Sequence, residues 1–75
     1  MVVVIRYFAN LRELRGVQVE SVELAEGTTA QQAYIHLGFP AALPVAFAVN
    51  AERVAPSTVL AAGDELVFLP PLGGG

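Results

Sequence analysis

The sequence predicts an α+β domain, a mixed sheet of about five strands with one main helix packed on one face. Five short stretches rich in β-branched and aromatic residues are punctuated by Gly, Pro, Asn and Asp. One stretch alone, beginning at Ala30, repeats its apolar residues at helical spacing. The order is strand, strand, helix, strand, short strand, strand. A single helix laid across a sheet is the layered arrangement that buries both apolar faces.

Val2 to Phe8 reads as the opening strand, because Val, Ile, Tyr and Phe dominate it. Ala9 to Gly16, with Leu11 and Leu14 three apart, reads as a short helical turn or loop closed by Gly16. Val17 to Leu24 alternates as a second strand, antiparallel to the first. Val17, Val19, Val22 and Leu24 are its apolar set, and a bulge is expected at Glu20-Ser21, where the phase slips.

Glu26-Gly27-Thr28-Thr29 marks a turn and a helix start. Thr28 with Gln31, or Thr29 with Gln32, has the spacing of a capping box. Ala30, Ala33, Tyr34 and Leu37 form one buried helix face, and Gly38 stops the helix. Pro40 and Pro44 bound a loop before a strand over Val45 to Val49. Asn50-Ala51-Glu52 turns the chain into a short Arg53-Val54 strand, and Pro56 to Gly63 connects to a last strand, Glu65 to Leu69. Pro70-Pro71 ends it, since proline cannot donate to the ladder. The domain is thus expected over residues 1–69, followed by a flexible tail over 70–75 that finishes Gly73-Gly74-Gly75.

Composition narrows the chemistry. The 75 residues hold seven carboxylates against Arg6, Arg12, Arg15 and Arg53, a net charge of −3. Four scattered cations do not make a phosphate-binding footprint, so nucleic acid is not an expected partner. Cysteine is absent, which removes disulfides and thiolate metal sites; lysine is absent, which removes Schiff-base chemistry and isopeptide attachment to a side chain. The Val2-Val3-Val4-Ile5 run is too short for a membrane span or signal segment, and a cytoplasmic protein with no membrane partner is expected.

His36 lies between Ile35 and Leu37 with no orienting carboxylate or nucleophile in the pattern, so it reads as a surface or boundary residue. Ser21 and Ser57 sit in no nucleophile motif. Asp64-Glu65 reads as a turn feeding a strand, and Arg12 and Arg15 as partners for nearby glutamates.

Two features stand out against this sparse background. A terminal glycine has no Cβ beside its carboxylate and accepts backbone angles closed to other residues, so Gly74-Gly75 can be threaded into a narrow active site. Strand parity supplies the second feature. With Val3, Ile5 and Tyr7 toward the helix, Val4, Arg6 and Phe8 face outward; with Leu66 and Phe68 inward, Val67 and Leu69 face outward. If the first and last strands are neighbours, Phe8, Val67 and Leu69 collect into one exposed apolar patch, the kind of surface that marks a partner site.

Particular runs carry a family resemblance over the whole chain. They are Arg6-Tyr7-Phe8-Ala9 before Leu11-Arg12-Glu13-Leu14, Val49-Asn50 before Arg53-Val54, Leu60-Ala61-Ala62-Gly63-Asp64-Glu65, and Phe68-Leu69-Pro70-Pro71 ahead of a Gly-Gly end. In these the chain resembles the β-grasp, ubiquitin-like sulfur carriers of the MoaD/ThiS superfamily, and more narrowly the small subunits of molybdopterin synthase. Two positions differ from the family pattern: Gly73 stands where a side chain is commoner, and Arg53 where a large apolar residue is.

The resemblance implies a carrier cycle. An E1-like adenylating enzyme, using ATP, joins the Gly75 carboxylate to AMP; a sulfur donor replaces AMP to leave a thiocarboxylate. The large catalytic subunit of molybdopterin synthase, in a heterotetramer, takes the tail and moves the sulfur onto a pyranopterin precursor. Gly75 and Gly74 are then the reacting end, and Phe8, Val67, Leu69, Pro70, Pro71, Leu72 and Gly73 the partner-binding residues. No cofactor and no metal is bound by the chain itself. Sulfur delivery for thiamine or another metabolite, protein modification through the same carboxylate, and a plain interaction module with an inert tail stay open beside it.

Overall fold

The structure, a computed structural model, describes residues 1–40 and 45–69. Five strands, β1 (Val2–Tyr7), β2 (Val19–Glu23), β3 (Ala46–Val49), β4 (Glu52–Val54) and β5 (Glu65–Leu69), form one mixed sheet in the order β2-β1-β5-β3-β4. The central pair, β1 and β5, is parallel, with Ile5 opposite Leu66 and Tyr7 opposite Phe68; every other pairing is antiparallel. The chain's first strand is therefore completed only by its last.

Two helices accompany the sheet, α1 (Ala9–Arg15) and α2 (Ala30–His36). The segment expected as a helical turn or loop is a helix of two turns. Gly16 ends it in the left-handed region at φ 83, donating from its N–H to the Arg12 carbonyl at 2.9 Å. α2 starts on the second of the two expected capping registers. The Gln32 N–H donates to Thr29 Oγ1 at 3.1 Å, and the Thr29 N–H donates to Gln32 Oε1 at 3.0 Å. Ala30, Ala33 and Tyr34 face the sheet as the spacing requires, and Gly38 follows at φ 90.

The core lies between α2 and the inner face of the sheet. Val3, Ile5 and Tyr7 of β1, Phe47 of β3, and Leu66 and Phe68 of β5 meet Ala30, Ala33 and Tyr34, with Leu11, Leu24, Phe39 and Leu60 closing the edges. Tyr34 sits 5.2 Å from both Phe39 and Phe68, stacked on the first and edge-on to the second, geometries that aromatic quadrupoles favour.

The expected bulge in the second strand is not there. β1 and β2 pair without a slip from Val2↔Glu23 through Arg6↔Val19. Alternation therefore runs unbroken, and it is Glu20, opposite Ile5, that shares the inner face with Val22 and Leu24, while Val17 and Val19 stay exposed. A carboxylate is tolerated there because β2 is an edge strand and two donors meet it, as described below.

Candidate functional site

The outer face of the sheet carries the residues that parity selected. Phe8 follows β1 and is 44% exposed; Leu69 ends β5 and is half-buried. Val67 requires a correction. It does face outward, but it is 8% exposed, because β5 is central and Arg6 and Ala48 stand directly beside it on both sides. Uncovered apolar surface instead continues from Phe8 onto the edge strand, where Val17 and Val19 are 41% and 45% exposed. Val19 opposes Arg6, and Gln18 accepts through its carbonyl from the Tyr7 N–H at 2.8 Å, which sets Val17 level with Phe8.

Reading the sequence missed Val17 and Val19 because their alternation with polar neighbours resembles a core-facing set. The signal was Phe8: once it faces outward, its cross-strand neighbours on β2 must do the same. Pro70, Pro71, Leu72, Gly73, Gly74 and Gly75 lie outside the described residues, so the two glycines expected to react and four of the residues expected to bind a partner have no placement here.

Polar contacts fix the frame around this face. Tyr7 Oη donates to Glu20 Oε2 at 2.6 Å, and Arg15 Nε donates to the same oxygen at 2.6 Å. The Arg15 guanidinium first, and the Tyr7 hydroxyl second, hold the Glu20 carboxyl below the usual carboxylate range; burial and the Glu20 charge push the Tyr7 phenol up. β1 and α1 are thereby both tied to β2, and Phe8 is the residue that joins β1 to α1. On the outer face Arg6 reaches Glu65 at 3.3 Å.

At the opposite end of β5, Asp64 and Asn50 form a clamp the sequence did not reveal. Asn50 Nδ2 donates to Asp64 Oδ1 at 3.0 Å, Asn50 Oδ1 accepts from the Glu65 N–H at 3.0 Å, and Asp64 Oδ2 accepts from the Ala61 N–H at 2.8 Å. The expected turn role of Asp64 thus has a physical form.

His36 is exposed at the end of α2 and lines a shallow depression with Glu23, Leu24, Ala25, Thr28 and Gln32. Thr28 and Gln32 there already spend their oxygens on backbone partners. Among the described residues no group of three or more His, Cys, Asp or Glu comes together to hold a metal ion, and no helix is long and apolar enough to cross a membrane.

Known proteins share this fold. Residues 5–75 match the ThiS family. The chain is 37% identical over 83 aligned residues to the molybdopterin synthase sulfur carrier subunit of Chlamydomonas reinhardtii, covering 100% of both. Among solved structures it is similar to a putative molybdopterin converting factor subunit 1 from Pyrococcus furiosus (28% identity, 96% of this chain and 99% of that one, TM-score 0.79). It is also similar to the small archaeal modifier protein 1 of Haloferax volcanii (26% identity, 95% and 98%, TM-score 0.79). With one helix across a mixed sheet whose first and last strands run parallel at its centre, the chain has the ubiquitin-like β-grasp fold and belongs to the ThiS family.

Proposed function

We propose that this protein is the sulfur carrier subunit of a cytoplasmic molybdopterin synthase. The observation that carries this is the end-to-end likeness to a sulfur carrier subunit, in a chain whose last strand emerges beside exposed Phe8 and is followed in sequence by Pro70-Pro71-Leu72-Gly73-Gly74-Gly75. An E1-like adenylating enzyme activates the tail. The Gly75 carboxylate attacks the α-phosphorus of ATP, and pyrophosphate leaves. Sulfur supplied at the hydrosulfide level then attacks the acyl carbon, a C–S bond forms, AMP leaves with the electron pair and the S–H proton passes to solvent, giving a thiocarboxylate. The large catalytic subunit docks on the Phe8, Leu69, Val17 and Val19 surface, receives the tail, and accepts the sulfur on a pyranopterin precursor within a heterotetramer.

The chain's own residues supply delivery rather than acid-base chemistry. Pro70 to Gly75 spans roughly 20 Å when extended, at about 3.3 Å per residue, and the paired prolines limit the entropy lost when the tail is ordered. Likeness to the small archaeal modifier protein favours a second reading, a modifier whose carboxylate ends as an amide on a target. Activation is common to both. Intact mass of the protein from its own cells separates them: a free thiocarboxylate supports the carrier, high-mass conjugates support the modifier. The carrier reading is tested by deleting Gly74 and Gly75, which is expected to abolish molybdopterin formation with the melting temperature nearly unchanged; retained formation sinks it.

A further inference from the structure

Every positively charged side chain in these 75 residues is an arginine, and neither lysine nor cysteine occurs. Two of the four lie in one row across the outer face. Arg6 opposes Val67, Val67 opposes Ala48, and Ala48 opposes Arg53. With strands about 4.8 Å apart and about 3.3 Å per residue, the Cα of Arg6 stands roughly 8 Å from that of Leu69, and the Cα of Arg53 roughly 12 Å. Both fall within the roughly 20 Å that six extended residues after Leu69 can span.

An activated acyl group on so short a tether meets any amine in that radius at an effective concentration on the order of millimolar. The consequence of a lysine there is direct. Its nitrogen lone pair attacks the Gly75 carbonyl carbon, a C–N bond forms, the bond to AMP breaks, AMP leaves with the electron pair, and the amine proton passes to solvent. The tail closes into a lactam and is lost to its pathway. A guanidinium carries the same charge but stays protonated and delocalised, with no lone pair to offer.

The α-amine of Met1 is also withheld. It donates to the Glu23 carboxylate and, at 2.7 Å, to the Leu24 carbonyl, and the Glu23 and Glu26 charges favour its protonated form. Because β1 and β5 run parallel, Met1 stands at the far end of the sheet, roughly 23 Å from Leu69 along the strands and beyond an extended tail.

Resting on the sulfur-carrier reading, we propose that the all-arginine cation set is a specificity device. It confines the cations of the outer face, Arg53 and the Glu65-paired Arg6, to guanidinium groups and thereby denies the activated Gly75 carboxyl an acceptor in its own domain, so that the acyl group passes only to an external nucleophile.

Arg53→Lys tests this, since Arg53 is exposed and has no ion pair among the described residues; circular dichroism verifies that the variant folds. Wild type and variant, each a full chain carrying a chemically prepared Gly75 aryl thioester, are held in dilute, mildly alkaline buffer and followed by intact mass. Wild type is expected to hydrolyse to the free acid. The variant is expected to end one water lighter than its acid, at a rate independent of protein concentration, with residue 53 joined to Gly75 in the peptide map. Lactam or self-linked dimer from wild type overturns the proposal, as does a variant that only hydrolyses. A second arm supplies ATP, magnesium and the activating enzyme. Pyrophosphate release with wild type staying open and the variant closing supports device and carrier together. No pyrophosphate from either protein overturns the carrier reading, and with it the purpose given to the arginines, whatever the thioester arm shows.

Discussion

Glu20 shows how much one side chain decides. Its Oε2 accepts from both Tyr7 and Arg15, joining β1, α1 and β2 at a single oxygen. The folded-state pKa is held below the unfolded value of about 4.3. The linked stability is therefore present above about pH 4.3 and is lost as pH falls through the lower folded pKa. Urea unfolding at pH 6 and pH 3 is expected to show a smaller loss on acidification for Glu20→Gln than for wild type; equal losses refute the assignment. A second residue departs from local preference. Ala51 takes φ 70 next to Asn50 at φ 52, completing a two-residue hairpin loop between Val49 and Glu52, where glycine normally serves the second position. An alanine held there is strained by about 1 kcal/mol, partly offset by the greater unfolded-state freedom of glycine. Ala51→Gly is expected to raise the melting temperature by about 2–4 °C, corresponding to roughly 0.5 kcal/mol in a domain of this size. The turn was legible from Asn50, but the left-handed pair was not, because the glycine that signals it is missing.

Elements were legible in proportion to how local their causes are. α2 has its start, face and stop written within ten residues, Thr29 and Gln32, then Ala30, Ala33 and Tyr34, then Gly38, and all appear as the spacing requires. Thr29→Ala removes the Oγ1 acceptor for the Gln32 N–H and is expected to cost about 1 kcal/mol, a fall of about 4–8 °C in melting temperature; a change under one degree in a thermal melt would show that the cap contributes nothing. α1 has no side-chain cap at Phe8. It is held instead by buried Leu11 and by the Arg15–Glu20 pair across the following loop, which is why its sequence read as helix or loop. β2 failed for a related reason. Its apolar residues satisfy two registers, and the choice is made by β1 and Tyr7 rather than by β2 itself. The candidate site divides the same way: Phe8 and Leu69 followed from parity, whereas the burial of Val67 depends on two neighbouring strands that no local pattern announces.

Across the whole molecule, the outer face and the last strand set the direction of function. A carboxylate placed at Phe8 enters the proposed interface without disturbing the core, since that side chain is 44% exposed. Phe8→Glu is expected to keep the circular dichroism spectrum and to weaken binding to the large subunit by about tenfold or more; unchanged binding in a pull-down removes Phe8 from the interface. The parallel pairing of β1 with β5 has a mechanical meaning as well. Met1 and Leu69 stand at opposite ends of that pair, so tension applied between them runs along both strands and strains their hydrogen bonds together, in shear. Tension between Met1 and Leu24, neighbours at one end of the β1–β2 pair, peels bonds one at a time. Rupture under force tracks the unfolding barrier rather than equilibrium stability, and single-molecule pulling is expected to need a higher force through residues 1 and 69 than through residues 1 and 24. A partner that grips the tail while the domain is held can thus tug on it, and withdraw it, without unravelling the strand from which it grows.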